Sequence, residues 1–266
     1  MTPIAAIYVH PVSAFNDNYL WVIHNGCHAA VVDPGDATPV IEYLNSSGLE
    51  LTAIICTHHH ADHVGGVDHL LDFLNLRGKI PVYGPASERI PARSQALVEG
   101  DRIVVPLLDL AFEVIDVPGH TAGHIAYFGH GMLLCGDTLF ACGCGRLFEG
   151  TAEQMTASLT KLKRLPPETK VYCAHEYTMA NIRFAEAVEP DNGDLKLRKA
   201  FCAAKRHRNL PTVPSTIHLE LATNPFLRWD EPVVRAAAAR HLKRDIGVDP
   251  EPALVFGAIR EWKNNF

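Results

Sequence analysis

Up to about residue 175, short apolar runs alternate with stretches of helical period. IYVHPV, YLWVI and AAVVD are rich in β-branched and aromatic residues, and NDN, NG and DPGD lie between or after them, so they predict three early strands. PVIEYLNSSG predicts a helix that stops at Gly48, and LTAIIC predicts a buried strand leading into THHHADH, residues 57–63. Val64, Val67, Leu71 and Leu74 recur at intervals of three and four, so a helix is expected directly after that loop. PVYG, DRIVVPL, LAFEVIDV, HIAYFG and MLLCGD predict further strands. Thr151 and Gln154 form a capping box for a helix running through Leu165, and VYCAH is the last strand.

Beyond His175 the strand pattern nearly vanishes. EPVVRAAAARHL and EPALVFGAIREWKNNF are helical, each opening with an acid and a proline, which suits a helix N-terminus. The chain therefore divides into a mixed α/β domain, 1–175, and a helical domain, 176–266. In the last helix Val255, Ile259, Trp262 and Phe266 are expected to form the buried face. Arg260 and Lys263, three residues apart, are expected on an adjoining face.

Length and composition narrow the class. The 266 residues, 47% hydrophobic and 20% charged, can build one large core, or one core with a smaller second domain. No stretch approaches the ~18 apolar residues of a membrane span, and the first fifteen residues lack the charged and apolar regions of a leader. The seven cysteines are odd in number and include no C-x-x-C pair, which predicts thiols in a reducing cytoplasm. Net charge is −6, unevenly spread: residues 1–177 hold ten Lys and Arg against nineteen Asp and Glu, residues 178–266 fourteen against eleven. The basic second part suits an anionic substrate, or is a solvated helical surface. No strongly basic stripe runs along the chain, so nucleic acid is not an expected partner.

The chemistry concentrates in THHHADH. A cluster of imidazoles and a carboxylate at a strand end would cost desolvation without building a core, whereas it suits zinc, iron or manganese directly. His58, His60, Asp62 and His63 are too many for one tetrahedral ion fed from a single loop, so two neighbouring ions are expected. Further ligands are available at strand ends: His120 in VPGHTAGH, Asp137 in LLCGDTLF and His175 in VYCAHEYT. Cys56, Cys135 and Cys173 each stand two positions before a candidate ligand. With a strand period of two they should point the same way but deeper, as core packing beneath the site.

H-x-H-x-D-H followed by distant GHT, GDT and AHEYT resembles the metallo-β-lactamase superfamily of binuclear metallohydrolases. AFNDNYLWVI, GDTLFACGCGRLFEGT, HEYT, TNPFLR and IREWKNNF resemble, more narrowly, the glyoxalase II (hydroxyacylglutathione hydrolase) family over nearly the whole chain. The resemblance implies a four-layer αββα sandwich followed by a small all-helical C-terminal domain. It implies that His58, His60 and His120 hold one divalent metal, that Asp62, His63 and His175 hold the other, and that Asp137 bridges both. Zinc is the expected metal, with iron or manganese as alternatives. His59 has no ligand role in that pattern, and His124 is expected to pack or hydrogen-bond. Asp33 either orients a ligand imidazole through its outer N–H or simply forms a turn.

The same resemblance implies a thioester hydrolase that cleaves S-(2-hydroxyacyl)glutathione, such as S-D-lactoylglutathione, in methylglyoxal degradation. A metal-bridging hydroxide held by Asp137 would attack, with no protein nucleophile, and indeed no G-x-S-x-G elbow occurs. Glutathione contacts are implied at Arg146, Leu147, Phe148, His175, Tyr177, Arg260 and Lys263. Family members commonly carry lysine and tyrosine where this chain has Arg146 and Phe148, so one hydroxyl donor is lost there. A monomer is expected, with no membrane partner. The alternatives are a lactonase or β-lactamase, which need no helical domain, a persulfide dioxygenase, which binds one iron with fewer ligands, and a non-catalytic metal or RNA-binding module.

Overall fold

A computed structural model describes residues 6–266, so the first five residues of the segment read for a leader lie outside it. The chain forms two compact units. One runs to Asp116 and takes in Gly123–Gly136; the other consists of Val117–Ala122 and Asp137–Phe266.

In the first unit β1 (Tyr8–Ala14), β2 (Asn18–His24) and β3 (His28–Val32) form an antiparallel meander. Helix α1 (Ala37–Ser47) crosses back to β4 (Glu50–Ile55), which pairs parallel with β3. The crossover is well punctuated: Asp36 caps α1 by accepting from the Thr38 amide, and Gly48 ends it in the left-handed region at φ 64°, where a Cβ is costly. Two short helices follow, α2 (Ala61–Val64) and α3 (Val67–Phe73). Next come β5 (Val82–Pro85) and β6 (Gln95–Leu97), which extend the sheet in parallel to the order β1-β2-β3-β4-β5-β6. Val40, Ile41 and Leu44 of α1 and Leu70 and Leu71 of α3 pack into one core with Val31 and Ile54 of the sheet. Each such buried side chain is worth about 1.5–3 kcal/mol relative to exposure.

The remaining strands of this unit, β7 (Arg102–Val105), β8 (Leu110–Asp116), β9 (Ile125–Gly129) and β10 (Met132–Gly136), are successive antiparallel neighbours. Tyr127 of β9 is fully buried, and its hydroxyl donates to the carbonyl of Cys56 at 2.7 Å, just past the end of β4.

In the second unit β11 (Leu139–Phe140) and β12 (Gly143–Cys144) form a short hairpin. Helix α4 (Ala152–Leu162) carries both hydrogen bonds of the Thr151–Gln154 capping box. After β13 (Lys170–Cys173) come α5 (Thr178–Val188), α6 (Gly193–His207), β14 (Ser215–Thr216), α7 (Ile217–Thr223), a 3₁₀ turn at Pro225–Leu227, α8 (Pro232–Leu242) and α9 (Pro252–Asn264). β13 and β14 pair antiparallel.

Three local expectations change. The helix after the histidine loop starts inside it, at Ala61, and is broken at Gly65–Gly66. A Cβ on Gly66 would sit 2.5 Å from the Ala37 amide nitrogen, so glycine is required by close approach rather than by helix period. α4 stops at Leu162 rather than Leu165. In α9 the buried face is Val255, Phe256, Ala258, Ile259 and Arg260, while Phe266 is 63% exposed and Trp262 only half-buried. Arg260, expected on a face beside the core, lies within it.

Candidate metal centre and substrate cavity

The first unit supplies the histidine loop. Parallel pairing sets Val32 opposite Ile55, so Asp33 and Thr57 emerge together from the ends of β3 and β4. The Asp33 carboxylate is 3% exposed and fully engaged. Its Oδ1 accepts from the Thr57 amide at 2.7 Å; its Oδ2 accepts from the Thr57 hydroxyl at 2.8 Å and faces Nδ1 of His63 at 3.1 Å. A carboxylate only accepts, so that contact puts the His63 proton on Nδ1 and leaves Nε2 with a lone pair. His58 and His63 are fully buried, and Nε2 of His58 approaches Nδ1 of His60 at 3.1 Å. Asp62 accepts from the Asn18 amide at 3.0 Å, with the same oxygen 3.5 Å from Nε2 of His63. Gly35 allows this packing, since a Cβ there would lie 1.8 Å from the Asp62 carbonyl oxygen.

His59 turns away to Glu88, 3.0 Å from Nδ1, and His124 stacks on His58 with ring centroids 4.5 Å apart. Cys56 and Cys135 are wholly buried, and burial, with Asp33 nearby, pushes the Cys56 thiol well up. Burial of this kind disfavours the thiolate and suits a thiol packed in the core.

The second unit supplies His120, Asp137 and His175, all nearly buried. The two oxygens of Asp137 divide between the two histidines: Oδ2 lies 3.4 Å from Nε2 of His120 and Oδ1 lies 3.3 Å from Nε2 of His175. Two donors each about 2.0–2.1 Å from one tetrahedral ion sit roughly 3.3–3.4 Å apart, so these distances are compatible with metal ligation. Nδ1 of His120 donates to the Arg146 carbonyl at 2.8 Å, and the Tyr177 ring stacks on His175 at 4.6 Å. Cys173, two residues before His175, is buried with its thiol pushed up to about 12. In each unit the residues present fit divalent metal: imidazole and carboxylate donors lie at ligand spacing from one another, and the outer nitrogens of His63 and His120 are held by a carboxylate and a carbonyl oxygen.

Within this unit a cavity of about 440 Å3 is lined by His120 and Asp137 together with Arg146, Phe148, Tyr177, Arg260 and Lys263. Five of the seven residues expected to touch glutathione therefore share one cavity; Leu147 and His175 do not line it. Arg260 is 4% exposed and donates through Nη1 to the Cys144 carbonyl at 3.0 Å, with Phe226 under its guanidinium. Lys263 donates to the Asn181 side chain. Burial, and then the Arg260 cation, pull the Lys263 amine down to about 7. The Phe148 ring, which carries no hydroxyl, lies edge-on to His120 at 5.3 Å.

Several residues of this site left little trace in the sequence. Asn181 is buried, lines the cavity and donates to the Ala141 carbonyl at 2.9 Å. Asn224 donates to the carbonyls of Phe140 and Gly143, and Glu220 accepts from the Cys142 amide at 2.8 Å. Together with Arg260 they grip the β11–β12 hairpin that links Asp137 to Arg146. A buried polar residue on an otherwise apolar helix face was the one available signal, and alone it does not name its partner.

Comparison with known proteins agrees with this geometry. Residues 15–175 match the family model of the metallo-beta-lactamase superfamily, and residues 176–266 match that of the hydroxyacylglutathione hydrolase C-terminus. The solved structure of TTHA1623 in a di-iron-bound form is 25% identical, with a TM-score of 0.57, covering 83% of this chain and 100% of its own. Fold and site thus define a hydrolase of the metallo-β-lactamase fold, in the α/β class, with a helical C-terminal region.

The hydroxyacylglutathione hydrolase of Nitrosomonas eutropha is 54% identical over 260 residues, covering 98% of this chain and 99% of that protein. That of Cupriavidus taiwanensis is 55% identical over 266 residues, covering 97% and 98%. The chain belongs to the hydroxyacylglutathione hydrolase (glyoxalase II) family of thiolester hydrolases. The match over the helical region disfavours the lactonase, β-lactamase and dioxygenase alternatives.

Proposed function

We propose that the chain cleaves S-D-lactoylglutathione to glutathione and D-lactate, the second step of methylglyoxal degradation, as a cytoplasmic monomer. Its centre takes two divalent ions, zinc for preference: His58, His60 and His120 on one, Asp62, His63 and His175 on the other, Asp137 shared by both. Divalent ions held by these residues would make water more acidic and polarise the thioester carbonyl. The chain's own residues do the rest. Asp33 and the Arg146 carbonyl hold His63 and His120 in the tautomer that presents Nε2. Arg146, Arg260 and Lys263 offer cations to the glutathione carboxylates, and Tyr177 offers a hydroxyl. The leaving group is a thiolate whose conjugate acid has a pKa near 8–9, so no strong general acid is required.

One observation carries the reading: Asp137 and His120 line the same cavity as Arg146, Arg260 and Lys263, basic side chains that suit a tripeptide with two carboxylates. The test is hydrolysis of S-D-lactoylglutathione by the purified protein, with metal counted by elemental analysis before and after chelation. Cleavage that tracks two ions per chain is expected. Full activity with one ion or none, or preferential hydrolysis of nitrocefin or a lactone, would end the reading.

A further inference from the structure

The segment 145–150, which carries Arg146 and Phe148, is fastened to the loop 117–122, which carries His120, at four points. His120 Nδ1 donates to the Arg146 carbonyl at 2.8 Å, and the Phe148 amide donates back to the His120 carbonyl at 3.2 Å. The Gly150 amide donates to the Gly119 carbonyl at 3.2 Å, and the Glu149 carboxylate accepts from the Ala122 amide at 2.8 Å. Glycines permit the approach at both ends. A Cβ on Gly145 would lie 2.0 Å from the Asp137 carbonyl oxygen and 3.0 Å from Nδ1 of His120; one on Gly150 would lie 2.5 Å from Cα of Gly119.

Three of the four ties are made by backbone, or by His120 itself. The fourth depends on a side chain that neither lines the cavity nor belongs to the proposed ligand set. We propose that Glu149 is a positioning residue for His120: its carboxylate latches the His120 loop to the substrate-contacting segment, so that metal ligand and glutathione contacts hold one geometry. This rests on the reading of His120 as a ligand and adds a residue to it. An exposed glutamate bonded to an amide is commonplace, and water competes for it. Its effect here comes from where the bond falls, two residues after the imidazole whose direction it limits.

Ligand-supporting groups of this kind typically change metal affinity by about ten- to a hundredfold, and exposure of Glu149 favours the lower end. The test compares wild type, Glu149→Ala and Glu149→Gln as metal-free proteins titrated with zinc against a chromophoric chelator. Apo thermal unfolding and steady-state KM and kcat on S-D-lactoylglutathione are measured alongside. Expected are a roughly tenfold weaker zinc affinity and a raised KM in Glu149→Ala, unchanged apo unfolding, and recovery in Glu149→Gln, whose amide oxygen still accepts from Ala122. Wild-type zinc affinity in Glu149→Ala overturns the latch. So does an equal loss in the Gln variant, or a loss of apo stability with zinc affinity intact. The chelator competition decides the matter whichever thioester the wild type cleaves, so failure of the substrate assignment is distinguishable from failure of the latch.

Discussion

His120 donates through Nδ1 to the carbonyl oxygen of Arg146 at 2.8 Å, so an imidazole proposed for the metal is aimed by the backbone of a residue proposed for the substrate. A carbonyl can only accept. The proton therefore resides on Nδ1, and Nε2, 3.4 Å from Asp137, carries the lone pair. A proposed metal ligand and a proposed glutathione contact are thus tied to each other directly.

Asp137→Ala removes the carboxylate that faces both His120 and His175. Turnover is expected to fall by about two orders of magnitude or more, with one of two ions lost on gentle purification. Kinetics and elemental analysis on the same preparation check it. An active variant that keeps both ions contradicts the shared role.

Asp33→Ala takes away the acceptor for Thr57 and for His63 Nδ1. Metal affinity should drop about ten- to a hundredfold. Asp33→Asn should lose less if its amide oxygen faces His63. Chelator competition measures it, and wild-type affinity in the alanine variant would show that His63 needs no orientation.

Arg260→Ala and Lys263→Ala should both raise KM by about ten- to a hundredfold while leaving kcat nearer wild type. A charge-assisted bond remote from the thioester helps ground and transition states alike. They should differ in stability. Arg260 is buried and bonded to the Cys144 carbonyl, so only its loss should lower the melting temperature by several degrees. Unchanged KM in both variants would place the substrate elsewhere.

Lys263 also sets a pH dependence. Its amine stands at about 7 instead of 10.5, chiefly through burial, so the ligand-free protein loses this charge as pH rises through 7. KM for the anionic thioester should therefore climb from pH 6 to 8.5, and Lys263→Arg, which stays charged, should flatten the climb. The stability sign is the opposite of that for a stabilised cation. Between about 7 and 10.5 the unfolded chain holds more protons at this site than the folded one, so this group's contribution to stability rises with pH across that window. A KM that is flat for wild type from pH 6 to 8.5 removes Lys263 from the carboxylate's reach.

Elements that rest on local chemistry are legible in the residues alone. Thr151 and Gln154 made their capping box, Gly48 its left-handed stop, and the alternation of strands and helices up to His175 came through because period and turn residues act over a few positions. The donor cluster was equally plain, since so much imidazole in seven residues serves no core. Tertiary structure alone decided what those residues face. Gly66, between the two short helices, has to be glycine because the Ala37 backbone passes too close for a Cβ. Arg260 belongs to the core because Cys144, 116 positions away, offers its carbonyl there. Asn181, Asn224 and Glu220 become the grip on a hairpin only once the chain has folded. Capping and periodicity are written in neighbours, whereas a buried polar side chain is defined by the partner that long-range packing brings to it.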